Sequence, residues 1–226
     1  MSRHVLVFDL DDTLYDELSF VRSGLLAVAA WGEEVHGLDR TASFATMMAL
    51  LESQGRGRVF DEWLEGRGSV RAALEVYRRH EPDIVLWPAA ERVLARHRGA
   101  ALYLVTDGHK AVQARKVSAL DLWNRVRRVY LTNRYGTVHA KPSPHCFELI
   151  ARRERVPMSA LIHVADNPTK DFVGLNPLGV TTVRVLTGQH ADTPARPGAE
   201  AKHRISDLDA LSGLLRELGV VLCSAP

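Results

Sequence analysis

The 226-residue chain carries a nearly balanced charge, with 29 basic and 27 acidic residues and a formal net charge of +2. This balance argues against nucleic-acid or membrane partners, and no apolar stretch approaches the roughly 20 residues that span a bilayer. Hydrophobic residues make up 46% of the chain, enough for one large core or a core with a smaller inserted domain. Two cysteines do not form a disulfide framework, and no signal peptide is recognisable, so we expect a cytoplasmic protein.

The first element in the chain is a short apolar run that ends in acid. Residues 5–8 are bulky and predict a buried strand of a parallel sheet, and Asp9-Leu-Asp-Asp-Thr13 follows directly. In open α/β sheets, ligands bind in the crevice beyond the carboxyl ends of the strands. Because Asp9 and Asp11 repel each other, a fold that brings them together usually supplies a cation or a proton. The alternative is an Asp-x-Asp pair in a solvated turn, which the later motifs disfavour.

From residue 16 to residue 80, apolar residues recur at helical spacing, which predicts four amphipathic helices without an intervening strand. Thr41 resembles the cap of the second helix, and Ser69 opens the fourth. Four such helices in succession favour a small bundle of their own. The flexible, basic loop 55–59 is either a solvated connection or a contact for an anionic substrate.

After Pro82 the chain alternates between strands and helices. A helix opens at Pro88, and the apolar strand 101–105 ends in Thr106-Asp-Gly-His109, just before another helix. A hydroxyl and exposed backbone N–H groups at the start of a helix attract phosphate. His109 either contacts the substrate there or is simply exposed.

Three further strands are predicted at residues 128–131, 161–165 and 182–185. The strand at 161–165 again ends in acid, Asp166, with Asp171 five residues later. Only five lysines occur in the chain, and four of them lie between Thr106 and Asp171, where a compact ammonium suits a phosphate. A final helix is predicted at residues 207–219, and His163 is interpreted as a hydrogen-bonded core histidine. This alternation predicts an α/β fold with a parallel sheet.

Four features in this order resemble the motifs of the haloacid dehalogenase (HAD) superfamily: Asp9-Leu-Asp-Asp-Thr13, Thr106 after an apolar strand, Lys141 before Pro142, and Asp166 with Asp171. The resemblance covers nearly the whole chain. It implies a Rossmann-like parallel sheet ordered 5-4-1-2-3 in residues 1–14 and 83–226, with an inserted four-helix C1 cap in residues 15–82. Asp107, often Asn in the family, and Ala165, commonly Gly, depart from the usual pattern, but neither change removes a reacting group.

The resemblance also implies a chemistry, the hydrolysis of a small soluble phosphate monoester through an aspartyl phosphate. Asp9 would be the nucleophile, and Asp11 would protonate the leaving oxygen and then activate water, for which we expect a raised pKa of Asp11 among its like charges. The phosphoryl group would be held by four positions: Thr106, Asp107, Gly108 and Lys141.

A Mg²⁺ ion is the implied cofactor. Its ligands would be Asp9, the backbone carbonyl of Asp11, and Asp166, with Thr13 and Asp171 supporting the site. Between its two short connections to the sheet, the cap is expected to move during turnover.

Other activities of the same motifs stay open at this stage. A HAD-type phosphomutase or dehalogenase would share most of the site, and a catalytically silent interaction module would share the fold. A phospho-accepting receiver also combines acids, a Thr and a Lys, but in a different motif order. The substrate and the oligomeric state are not indicated by the sequence.

Overall fold

The computed structural model describes residues 3–224. The chain divides into two compact units, of which the first comprises the chain up to Glu17 and again from Val85 onward. The second unit comprises Leu18–Ile84. Within the described residues, no helix combines the length and the apolar character needed to cross a membrane.

A parallel sheet forms the centre of the first unit. Its path runs β3-β2-β1-β4-β5-β6, and β7 pairs with the start of β1. All pairings between these strands are parallel. The strands are β1 (Arg3–Phe8), β2 (Leu102–Thr106), β3 (Arg128–Leu131), β4 (Leu161–Ala165), β5 (Thr181–Val185), β6 (His203–Ile205) and β7 (Val221–Leu222). The α/β class and the order 5-4-1-2-3 are thus confirmed, and β6 extends the sheet beyond β5.

Four α-helices of this unit follow the strands and cover the sheet: α5 (Pro88–Arg96), α6 (Lys110–Ala119), α7 (His145–Glu154) and α8 (Leu211–Glu217). Pro88 occupies the first helical turn of α5, as expected of a residue without a backbone N–H. The last helix is shorter than predicted because residues 208–210 form a 3₁₀ turn instead. The Asp207 carboxylate caps that turn by accepting from the backbone N–H groups of Asp209 and Ala210.

The second unit contains most of α1 (Glu17–His36) and all of α2 (Arg40–Gln54), α3 (Val59–Leu64) and α4 (Val70–Arg79). Its core includes Val28, Met47 and Leu64, none of which is exposed. Ser69 caps α4 by accepting from the Ala72 backbone N–H, which confirms its predicted role. The predicted cap Thr41 is wrong, because the Asp39 carboxylate accepts from the Ala42 N–H at 2.7 Å and α2 begins at Arg40.

The central strand β1 brings the predicted motifs to one edge of the sheet. Phe8, its last residue, pairs with Leu104 of β2 on one side and Val164 of β4 on the other. The Asp9 backbone N–H donates to the Val164 carbonyl at 2.9 Å, which extends the pairing one residue into the motif. Because the strands are parallel, the residues that follow β1, β2 and β4 emerge at the same edge.

The turn after β1 is held by its acidic residue Asp12, which has a left-handed backbone with φ 52°. The Asp12 carboxylate accepts from the backbone N–H groups of Glu17 at 2.9 Å and Gln189 at 3.0 Å. Gly188 lies so close that an added Cβ would be 2.1 Å from the Asp12 carboxyl carbon. Only glycine permits this approach, and it also accommodates the positive φ at that position.

Candidate active site

Lys141 stands between two buried acids at the carboxyl edge of the sheet. Its Nζ lies 2.7 Å from Asp9 Oδ1 and 2.7 Å from Asp171 Oδ1. The three side chains are almost completely excluded from solvent. An ammonium at this position partly neutralises two carboxylates at once, which makes their burial tolerable.

Three buried carboxylates converge at this edge of the sheet. Asp9, Asp166 and Asp171 each present an oxygen, and these oxygens all lie within 4.8 Å of one another. The Thr13 hydroxyl donates to Asp166 Oδ1 at 3.4 Å. A buried all-oxygen cluster of this kind matches the preference of Mg²⁺ for hard ligands.

The three carboxyl groups of the cluster differ in pKa and therefore in protonation. Burial raises the pKa of Asp9 to about 6 despite the attraction of Lys141. Burial and the neighbouring Asp9 and Asp171 carboxylates raise the pKa of Asp166 to about 9. Burial would also raise the pKa of Asp171, but Lys141 outweighs it and lowers that pKa below its ordinary value. At neutral pH without a cation, Asp166 therefore carries a proton while Asp171 is ionised.

Asp11 belongs to a separate group of side chains. Its Oδ1 accepts from Tyr15 Oη at 2.6 Å and from Lys116 Nζ at 2.7 Å, and its Oδ2 accepts from Gln113 Nε2 at 2.8 Å. Burial would raise the pKa of Asp11, but the ion pair and hydrogen bond with Lys116 lower it. The expectation of a raised pKa for Asp11 is therefore wrong, because a buried lysine 105 residues away in the chain stabilises the carboxylate.

The loop after β2 presents Thr106, which is buried, and Asp107 and Gly108, which are partly exposed. The Asp107 carboxylate accepts from the Thr132 hydroxyl at 2.6 Å and from the Lys141 backbone N–H at 3.2 Å. It thus anchors the segment that carries Lys141. A phosphate contact at positions 107 and 108 is left to backbone N–H groups, since a carboxylate offers only acceptors.

Comparison with known proteins agrees with this geometry. Residues 4–179 match the model of the haloacid dehalogenase-like hydrolase family. The chain belongs to that family. It is 33% identical over 159 residues to a phosphoserine phosphatase of Thermus thermophilus, an alignment that spans 68% of this chain and 62% of that enzyme. It is 27% identical over 210 residues to a glyceraldehyde 3-phosphate phosphatase of Methanopyrus kandleri, spanning 84% and 87% of the two chains.

A solved HAD-family structure shares the fold over nearly all of the chain. The 2-haloacid dehalogenase of Pseudomonas syringae pv. Tomato DC3000 superposes with a TM-score of 0.65 at 21% identity. The superposition covers 96% of this chain and 100% of that structure. The likeness of these two HAD hydrolases therefore extends to the fold as a whole.

The HAD motifs named from the sequence form two groups in the structure. Asp9, Thr13, Lys141, Asp166 and Asp171 are joined in one network, whereas the Asp11 side chain lies in the group with Lys116. The side chain of Asp11 is not part of the three-carboxylate cluster, so any metal contact from this position would use its backbone carbonyl, as the resemblance implied.

The structure shows the surroundings of two histidines and one cysteine near this HAD site. His163 is fully buried, with Nδ1 3.2 Å from the Val7 carbonyl oxygen, and its role as a core histidine is confirmed. Burial lowers the pKa of His163, so the ring is neutral. His109 is exposed at the start of α6. Cys146 is buried in the core.

Four side chains were given no role by the sequence: Tyr15, Gln113, Lys116 and Lys170. Gln113 and Lys116 lie three residues apart on α6, a spacing that places them on one helix face directly after the phosphate loop. Burial opposes the charge of Lys170, but Asp9 and Asp171 raise its pKa. The concentration of lysines in this region was the available signal for both cations.

Proposed function

We propose that the protein is a Mg²⁺-dependent phosphatase that hydrolyses a small phosphate monoester through an aspartyl phosphate. The observation that carries the proposal is the Asp9 carboxylate at the end of β1, 2.7 Å from Lys141 and part of a buried three-carboxylate cluster. Phosphoryl transfer depends chiefly on positioning and neutralisation of charge, which this arrangement supplies. The phosphatases among its relatives support the same reaction class.

The residues present fit a Mg²⁺ ion. Burial and the neighbouring acids raise the pKa of Asp166 to about 9, so this carboxyl needs a positive partner to be ionised at neutral pH. Asp9, Asp166 and the backbone carbonyl of Asp11 would hold the ion, with Thr13 orienting Asp166. Asp171 would support the site by holding the Lys141 ammonium, which lies 2.7 Å from its Oδ1. The ion would supply positive charge to the phosphoryl oxygens and to the nucleophile.

Asp9 would attack phosphorus and accept the phosphoryl group. With a pKa of about 6, it is mostly ionised at neutral pH. Lys141 would balance the charge that gathers on Asp9 and the phosphoryl oxygens. The Thr106 hydroxyl and the backbone N–H groups of Asp107 and Gly108 would hold the remaining oxygens.

Asp11 would protonate the leaving oxygen and then take a proton from the hydrolytic water. Its lowered pKa suits the second role at once, whereas the first requires that it acquire a proton when the substrate is bound. Its presence favours phosphate chemistry over dehalogenation, because a halide leaves without a proton. A HAD-type dehalogenase would have no comparable need for Asp11.

The names of two relatives, which specify phosphoserine and glyceraldehyde 3-phosphate, support the choice of substrate class. We infer a small, soluble phosphate ester for this chain. The helical unit Leu18–Ile84 would be the cap domain of the family.

The test is a panel of phosphate monoesters assayed for release of inorganic phosphate with Mg²⁺ and with a chelator. Mg²⁺-dependent, steady release from at least one small ester is expected. Release of halide from 2-haloacids without phosphatase activity would identify a dehalogenase. Phosphate transfer between two positions of a sugar without net release would identify a phosphomutase.

A further inference from the structure

Gln113 connects the two halves of the site. Its side chain is 2% exposed and lies on the first turn of α6, directly after the loop that ends β2. The amide nitrogen Nε2 lies 2.6 Å from Thr106 Oγ1 and 2.8 Å from Asp11 Oδ2. One amide group therefore contacts both the phosphate-binding hydroxyl and the acid–base carboxylate.

The chemistry of the partners determines which way this amide points. An ionised carboxylate offers only acceptors, so the atom that faces Asp11 must be the nitrogen, which carries two hydrogens. One hydrogen goes to Asp11, and the other is directed at Thr106 Oγ1. The Thr106 hydroxyl therefore accepts from Gln113, and its own hydrogen must be donated elsewhere. The edge of the sheet where a phosphoryl group would bind offers the acceptor that this hydrogen needs.

The surroundings hold Gln113 in this orientation. An added Cβ on Gly108 would lie 3.3 Å from the Gln113 side chain, so the loop backbone packs closely against the amide. Lys116 and Tyr15 bind the other oxygen of Asp11, at 2.7 and 2.6 Å. The carboxylate is thus fixed from both sides, and the amide has little freedom to rotate.

We propose that Gln113 is a positioning residue that aims the Thr106 hydroxyl at the phosphoryl group and aligns Asp11 with the leaving oxygen. The inference rests on the proposed phosphatase function and deepens it. A single rigid amide would then set the geometry of phosphate binding and of proton transfer together. Loss of the amide leaves the Thr106 hydroxyl free to rotate and removes one of the three donors to Asp11.

The variant Gln113→Met tests this role, because methionine has a similar length and no donor. Its kcat/KM should fall by about 10- to 100-fold, the range seen when supporting partners of site residues are removed. The loss should be larger for ethyl phosphate than for p-nitrophenyl phosphate, because only the alkyl leaving group needs a well-aligned acid. Gln113→Glu keeps the shape of the side chain but replaces its donor group with an acceptor, so its kcat/KM should fall at least as much.

Gln189→Met is the matched control. The Gln189 amide also donates to an acid, Glu17 at 3.3 Å, but does not contact Thr106 or Asp11. This variant should retain kcat/KM within about twofold. A double-mutant cycle separates positioning from general damage to the fold. In a Thr106→Val background, Gln113→Met should cost much less than in the wild type, because the hydroxyl it orients is gone.

A binding measurement does not depend on turnover. Inorganic phosphate should stabilise the wild type and Gln189→Met against thermal unfolding in the presence of Mg²⁺, and half-saturation should need about tenfold more phosphate in Gln113→Met.

Equal losses in the wild-type and Thr106→Val backgrounds, or unchanged phosphate binding in Gln113→Met, would overturn the positioning role. If the wild type hydrolyses no phosphate ester, the proposed function fails, and the phosphate-binding comparison alone decides whether Gln113 acts on Thr106.

Discussion

Replacement of Asp166 by Asn should stabilise the metal-free protein. In the folded state burial and two neighbouring acids raise the pKa of Asp166 to about 9, against 3.8 for an ordinary aspartate. At pH 7 the folded protein retains this proton and the unfolded chain does not, so the free energy of unfolding decreases as pH rises from about 4 to about 9. With about 1.4 kcal/mol for each pKa unit, the cost at pH 7 is on the order of 4 kcal/mol.

Asn has nearly the shape of Asp and does not titrate, so Asp166→Asn should recover much of this free energy. For a chain of this size, the melting temperature without metal should rise by about 5 °C or more. The difference between variant and wild type should grow as pH increases from 5 to 8.5. In Mg²⁺ the order should reverse, since the wild type gains free energy by binding the ion and the variant lacks a ligand.

Asp171→Asn provides the matched control with the opposite sign. Its carboxylate lies 2.7 Å from Lys141, which lowers its pKa, so removing it leaves a buried ammonium with one partner fewer. This variant should be destabilised by about 3 kcal/mol without metal. Differential scanning calorimetry in chelator across this pH range measures both effects. A metal-free Asp166→Asn protein no more stable than the wild type, at any pH, would refute the charge assignment within the cluster.

Three further outcomes are expected. Asp9→Asn should lower phosphatase activity by several orders of magnitude, while circular dichroism shows that the fold is retained. Near-normal turnover would exclude Asp9 as the nucleophile. Asp11→Asn should lower kcat/KM, which reports the first phosphoryl transfer, far more for alkyl phosphates than for aryl phosphates, whereas equal losses of kcat/KM would exclude it as the general acid. The apparent affinity for Mg²⁺, measured by calorimetric titration, should rise with pH to about 9 as the proton on Asp166 is released, and a pH-independent affinity would contradict that proton.

Much of the fold could be predicted from local pattern. The strands at 128–131 and 161–165 have the predicted bounds because each is a short, mostly apolar stretch that ends before a polar residue. The strands β6 and β7 have only three and two residues, too few for a period to be recognised. Thr41 failed as a cap because two cap-forming residues, Asp39 and Thr41, stand close together and local sequence does not rank them.

The site, like the fold, could be predicted from the sequence only in part. The resemblance to the HAD motifs brings Asp9, Lys141 and Asp171 together, and in the structure the Lys141 ammonium contacts both carboxylates. The protonation state of Asp11 could not be predicted, because its pKa depends on a lysine whose side chain reaches it across the fold. The role of Asp107 could not be predicted either. It lies in the phosphate-binding loop, but its carboxylate accepts from the backbone N–H of Lys141, 34 residues later. Such contacts are set by tertiary packing and leave no periodic signal in the sequence.

The central claim is that the phosphoryl group passes through Asp9. Asp11→Asn isolates this step, because an aryl phosphate can still transfer its phosphoryl group while the base for hydrolysis is gone. Rapid mixing of this variant with p-nitrophenyl phosphate and Mg²⁺ should release a burst of p-nitrophenol equal to the enzyme concentration. Acid quenching and peptide mapping should then locate the phosphoryl group on Asp9. Linear release without a burst, with no phosphoryl group on Asp9 during turnover, would contradict the covalent mechanism.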